Sequence, residues 1–178
     1  MDSTEVIEFW FNELGPKDWF RQDDGIDAAV AKRFGSTYRA AAAGELWSWR
    51  STALGALAEI IALDQFPRNM FRADPRAFAT DPMALVLAQE ALRRAIDQQL
   101  SAPQKSFMYM PFMHSESALI HQTAVKLFSR PGLEENLDFE LRHQAIIERF
   151  GRFPHRNRIL GRPSTPVVIE FLKTNPGF

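Results

Sequence analysis

The sequence predicts an all-α fold, a single domain over residues 1–178 built from about seven or eight antiparallel helices joined by short Gly/Pro turns. Three observations carry this. Apolar residues recur at helical spacing, start and stop residues punctuate the chain at matching intervals, and alternating strand patterns are scarce. Ser3 or Thr4 opens a first helix through Val6, Phe9 and Trp10, closed by Gly15 and Pro16. Ile26, Val30, Phe34 and Tyr38 mark one face of a helix that runs through the alanine-rich stretch to Gly44. Ser51 or Thr52 opens another, which stops before Pro67. Asp81 reads as an N-cap followed by proline at the first helical position, and Ser115 and Thr165-Pro166 give similar starts. Phe107 to Phe112 is the one run that tempts a strand assignment, and it carries Pro111.

Composition narrows the class. At 46% hydrophobic residues, with 15 Phe and 4 Trp, the chain can bury one substantial core, to which the tryptophans are assigned. The sequence has no cysteine, so disulfides and thiolate metal ligands are ruled out. The acidic start, Met1 to Glu5, lacks the basic region and apolar run of a signal peptide, and no stretch of about 18 apolar residues occurs. A cytoplasmic protein without a membrane span is expected. The net charge of -1 argues against a broad nucleic-acid footprint. The aromatic content also leaves room for a homodimer.

The densest chemical signal is the run from Arg149 to Arg162, which carries five arginines and one histidine but no acid, and is broken by Gly151, Pro154 and Gly161. So many cations in a chain without net positive charge imply a bound anion or buried carboxylate partners. The phrase Phe66-Pro67-Arg68-Asn69 is echoed by Phe153-Pro154-His155-Arg156-Asn157, each a few residues after an Ile-Ile pair. Each reads as a helix ending at a proline that turns an Arg-Asn pair inward, so the two copies are expected to face one site.

Polar residues also fall on apolar stripes. Asp64 shares a stripe with Leu57, Ile60 and Ile61, and a buried carboxylate there requires a cation, either Arg68 or an arginine of the second basic segment. His143 lies with Phe139, Ile146 and Phe150, and Glu116 beneath Ile120, Ala124 and Leu127. His121 reads as a solvated helix residue. Neither a His-Glu-x-x-His metal motif nor a glycine-rich phosphate loop occurs, so no metal or cofactor is called for.

Two functions remain. One is a pocket for a small anionic ligand, a phosphate or carboxylate, lined by Asp64, Arg68, Asn69, Arg72, Arg152, Arg156, Asn157 and Arg162. His114, Glu116, His143 and His155 would move protons there. The other is an interaction module that clamps a peptide or protein carboxylate, with the arginine network mainly structural. The first reading expects Asp64→Ala to damage folding and Arg156→Ala to spare it.

The motifs Leu63 to Arg72, Tyr109 to Ser117 and Arg149 to Asn157 together resemble the bacterial domain-of-unknown-function family numbered 924. Phe9-Trp10-Phe11 with Trp19-Phe20, and Leu160-Gly161-Arg162 with Ser164-Thr165, match its two ends. The resemblance covers nearly the whole chain and implies a tetratricopeptide-like helical array with no assigned activity. One departure stands out, because Pro166-Val167-Val168 occupies positions where the family usually has acidic residues.

Overall fold

A computed structural model describes residues 2–175 and 177, and every regular element among them is helical. In chain order the α-helices are α1 (Ser3–Glu8), α2 (Pro16–Trp19), α3 (Asp24–Ala42), α4 (Ala53–Asp64) and α5 (Phe66–Met70). They continue with α6 (Asp81–Arg93), α7 (Ala102–Met113), α8 (Ala118–Phe128), α9 (Glu134–Phe150) and α10 (Pro166–Thr174). Setting aside the four-residue α2 and five-residue α5, these match the helices expected from periodicity and cap signals, except α7, which is not among those expected.

The arrangement is organised around α4. Every residue from Gly55 to Asp64 is buried, and α1, α3, α6 and α7 pack against this helix. The sequence stripe suggested one apolar face, but a helix enclosed on all sides needs apolar or paired residues all round. The two carboxylates of α4 meet that requirement by pairing. Arg50 grips the buried Glu59 through two hydrogen bonds of 2.6 and 2.7 Å, and Asp64 has partners described below. Around α4, Trp10, Phe34, Phe66 and Phe107 form a chain of edge and stacked ring contacts at centroid distances of 4.8 to 5.8 Å.

Local signals explain the boundaries. Thr52 accepts a hydrogen bond from the Gly55 N–H to cap α4, and Thr165 caps α10 through Val168. The first cap differs from the expected one: Asp2 holds the Thr4 N–H, and α1 continues into a π-helical turn over Phe9–Glu13. α9 ends where Gly151 takes a left-handed φ of 67°, a conformation that suits glycine. Pro67 does not stop the chain but starts the short α5. The Phe107 to Phe112 run is helical inside α7, and its continuous burial explains why its periodicity was lost. Trp10 is a core residue, whereas Trp47 is 69% exposed and corrects the assignment of all tryptophans to the core.

A second, smaller cluster sits at the C-terminal side, where Ile146, Ile147 and Phe153 are joined by Phe150 and Phe171. It anchors α10 and the arginine-rich loop against α9.

Gly55 gives a direct test of this packing. A Cβ there would lie 2.1 Å from the carbonyl oxygen of Trp49, a backbone atom that cannot swing aside. Gly55→Ala is expected to destabilise the protein by about 1 to 3 kcal/mol despite alanine's better helix propensity, as read by denaturant unfolding.

Candidate functional site

The last residue of α4 is the fully buried Asp64. Its Oδ1 lies 2.8 Å from Nδ1 of His114 at the end of α7, and its Oδ2 accepts a hydrogen bond of 2.6 Å from Gln65. Arg68, one turn on, lies 3.4 Å from Oδ1 and also donates to the Asp64 carbonyl. Burial opposes ionisation of Asp64, but the charge of Arg68 and the hydrogen bonds from His114 and Gln65 outweigh it and hold the carboxyl below the ordinary carboxylate range. Because Nδ1 of His114 faces an ionised acceptor, it carries the ring proton and Nε2 carries the lone pair. The imidazole is 16% exposed, and burial, then the nearby Arg68 charge, lower its pKa.

The echoed phrases do converge, and Asp81 is where they meet. Arg68 forks onto its two oxygens at 2.9 and 3.1 Å, while Arg156 donates to Oδ2 at 3.1 Å. Asp81 had read as an N-cap, but Thr80 holds the cap position of α6 and no side-chain cap bond is made there. Capping and ion pairing call for the same residue type, and only the fold shows which demand prevails.

Arg156 is a core residue. Its guanidinium lies between the rings of Phe78 and Phe153, at 4.5 and 4.7 Å, and donates to the carbonyl of His114 at 3.2 Å. Burial lowers its pKa to about 10 against the pull of Asp81. The expectation that Arg156→Ala spares folding is therefore corrected, because truncation would open a void between two rings and leave Asp81 with one cation.

Glu116 precedes α8 in a turn and is not on its apolar stripe. It accepts the Phe153 N–H at 2.7 Å and a fork from Arg162 at 2.6 and 2.9 Å. Burial opposes its ionisation, but these hydrogen bonds outweigh that and hold its carboxyl low. Three carboxylates, Asp64, Asp81 and Glu116, thus meet three guanidiniums, Arg68, Arg156 and Arg162.

Other candidates lie apart. Asn69 and Arg72 both bind Asp27 of α3. Asn157 ties its own loop, donating to Ser164 and Pro163 at 3.1 and 3.4 Å. Arg152 makes no hydrogen bond or ion pair among the described residues. Arg149 lies over the rings of Phe150 and Phe171.

His143 does point inward, donating from Nδ1 to the Phe139 carbonyl at 2.8 Å. The stripe is rotated by one residue, however, since Glu140 is buried and Phe139 is 49% exposed. His155 and His143 both flank Phe153, at 5.7 and 5.5 Å between ring centroids. Burial lowers them to about 4 and about 3, so both are neutral near pH 7. His121 is not solvated as expected, because it is fully enclosed and bonded at both ring nitrogens.

Two clefts lie away from Asp64. One of about 440 Å³ is lined by Arg149, Val167, Glu170, Phe171, Thr174 and Asn175. A second, of about 130 Å³, includes Ile146, His155 and Phe171. Among the described residues, no group of three or more His, Asp or Glu side chains is placed to hold a metal ion, and no helix is long and apolar enough to cross a membrane.

Two measurements check this account. Asp64→Ala, which leaves His114 and Gln65 without their buried acceptor and removes one of the two carboxylates facing Arg68, is expected to cost about 3 to 5 kcal/mol in denaturant unfolding. His143 is neutral in the fold down to about 3, whereas the unfolded chain protonates it below about 6.5. Its stabilising contribution is therefore present above about 6.5 and lost as pH falls toward the folded value, on the order of 2 kcal/mol by pH ~5. His143→Phe should flatten that part of the stability profile.

Among proteins of known structure, a protein of unknown function from Agrobacterium tumefaciens has the same fold, with a TM-score of 0.93 and 40% sequence identity. The similarity covers 97% of each chain. No curated protein matches. A family profile described as "Bacterial protein of unknown function (DUF924)" matches residues 6–176. That span takes in α4, the Asp64 network and the arginine-rich loop, and the chain belongs to this bacterial family.

Proposed function

We propose that the chain binds a small anionic ligand bearing one carboxylate where the edge of His114 reaches the surface, and that His114 transfers a proton there. The supporting observation is the 2.8 Å contact between the buried Asp64 and Nδ1, which leaves Nε2 of a partly exposed imidazole as the basic nitrogen. Charge balance favours a carboxylate over a phosphate. The three guanidiniums of the network are matched by three carboxylates, so no surplus cation awaits a dianion. Titrating 15N-labelled protein with acetate is expected to move the His114 Nε2 resonance saturably, and more tightly than inorganic phosphate does. His114→Gln should remove the binding while the protein still unfolds cooperatively. If neither anion moves that resonance, the reading fails; if phosphate binds more tightly, the ligand class is wrong.

One observation favours a second reading, a clamp for a peptide carboxylate beside α10. The exposed Arg149 is held by ring contacts of 4.8 and 5.5 Å, has no acidic partner among the described residues, and borders the larger cleft with Val167 and Phe171. On this reading Arg149→Ala abolishes binding of peptides with a free C-terminus and leaves amidated peptides unaffected. Equal binding of free and amidated peptides would remove it.

A further inference from the structure

His121, on α8, has no exposed surface. Its Nδ1 lies 2.7 Å from Oε1 of Glu140 on α9, itself fully buried, and its Nε2 lies 2.8 Å from the carbonyl oxygen of Ser115. A carbonyl oxygen only accepts, so Nε2 carries a proton. The contact at Nδ1 also needs a proton between the two atoms, supplied by the ring or by the carboxyl. His121 and Glu140 therefore hold one shared proton beyond the one on Nε2, whichever atom owns it.

The surroundings keep that proton in place. The other Glu140 oxygen is buried without a hydrogen-bond partner, and burial pushes this carboxyl above its ordinary range. A titratable neighbour on α9 is His143, which is neutral, and the ring of Phe153 packs edge-on to the His121 imidazole with centroids 6.2 Å apart. The carbonyl that His121 holds belongs to the residue between His114 and Glu116. That turn is also tied by the Ser117 N–H to the Ser115 hydroxyl, by Glu116 to Phe153 and Arg162, by Arg156 to the His114 carbonyl, and by the His114 and Ser115 N–H groups to the last turn of α7.

We propose that His121 and Glu140 are positioning residues for His114, the proton they share locking the Ser115 carbonyl and hence the turn that holds His114 against Asp64. The proposal rests on the reading of His114 as the proton-handling group, but its test does not need a ligand. Side-chain 15N spectra of the ligand-free full chain report which nitrogen of His114 is protonated. In place of histidine, an asparagine amide falls near Nδ1 and a glutamine amide near Nε2. His121→Gln thus keeps a donor for Ser115, and His121→Asn keeps one for Glu140 alone.

His121→Gln is expected to preserve the His114 signature of a protonated Nδ1 and an unprotonated Nε2. With His121→Asn the two resonances should move toward their mean as the tautomers mix. Glu140→Gln, whose amide can donate to Nδ1, should preserve the signature. A double variant, His121→Leu with Glu140→Leu, removes both polar groups together, avoids an unpaired buried carboxylate, and should show the same mixing as His121→Asn. If the His114 spectrum is unchanged in His121→Asn, or in the double variant should the asparagine chain not fold, the proposal is overturned. Where acetate binds the unmodified protein, the mixing variants should bind it roughly tenfold more weakly. Acetate failing to bind while the tautomer effect holds would sink the ligand reading and leave the positioning role standing.

Discussion

A carboxylate with no access to water, at the end of a helix buried on every side, is the constraint from which the rest of this structure follows. Asp64 cannot remain ionised there without cationic and hydrogen-bonding partners, and its position fixes where they must come from. Arg68 comes from the next helical turn and His114 from the end of α7. Arg68 in turn brings Asp81 inward, and Asp81 draws Arg156 in from the opposite loop. One buried charge at the centre of the bundle thus joins segments separated by up to 92 residues of sequence, and the aromatic rings of Phe78 and Phe153 seal the chain of contacts.

Such a network serves both stability and chemistry, and the two demands act at different atoms. The forks between arginine and carboxylate close on themselves with equal numbers of each charge, which is what a structural core needs. The departure from closure is at His114, where one nitrogen is bound inside and the ring edge reaches solvent. A fixed imidazole orientation costs entropy to maintain, and the surrounding polar contacts supply the restraint. The cleft beside α10 belongs to a different part of the surface and to a different set of side chains, centred on Arg149.

Much of this was legible in the sequence where the signal was local. A threonine cap such as Thr52 or Thr165 acts within three residues, so it can be read without knowing the fold. The repeated Phe-Pro phrase pointed to Arg68 and Arg156 facing one place, and both reach Asp81. The asparagines of the same phrases did not follow, since Asn69 and Asn157 each satisfy a nearby group. Asp81 was hidden because a cap and an ion-pair acceptor look alike in sequence. Glu140 and His121 were hidden by phase: moving one residue along a helix turns the side chain by about 100°, which exchanges Phe139 for Glu140 at the interior. Only the position of α8 against α9 sets that phase. A glutamate and a histidine nineteen residues apart gave no local sign that they would share a proton.

The measurement that bears most directly on this account is the side-chain 15N spectrum of His114 in the unmodified, ligand-free protein near neutral pH. The account predicts a protonated Nδ1 and an unprotonated Nε2, the state imposed by an ionised Asp64 at 2.8 Å. A proton on Nε2 with a bare Nδ1 would mean that Asp64 is itself protonated, and would contradict both the buried charge and the role assigned to His114.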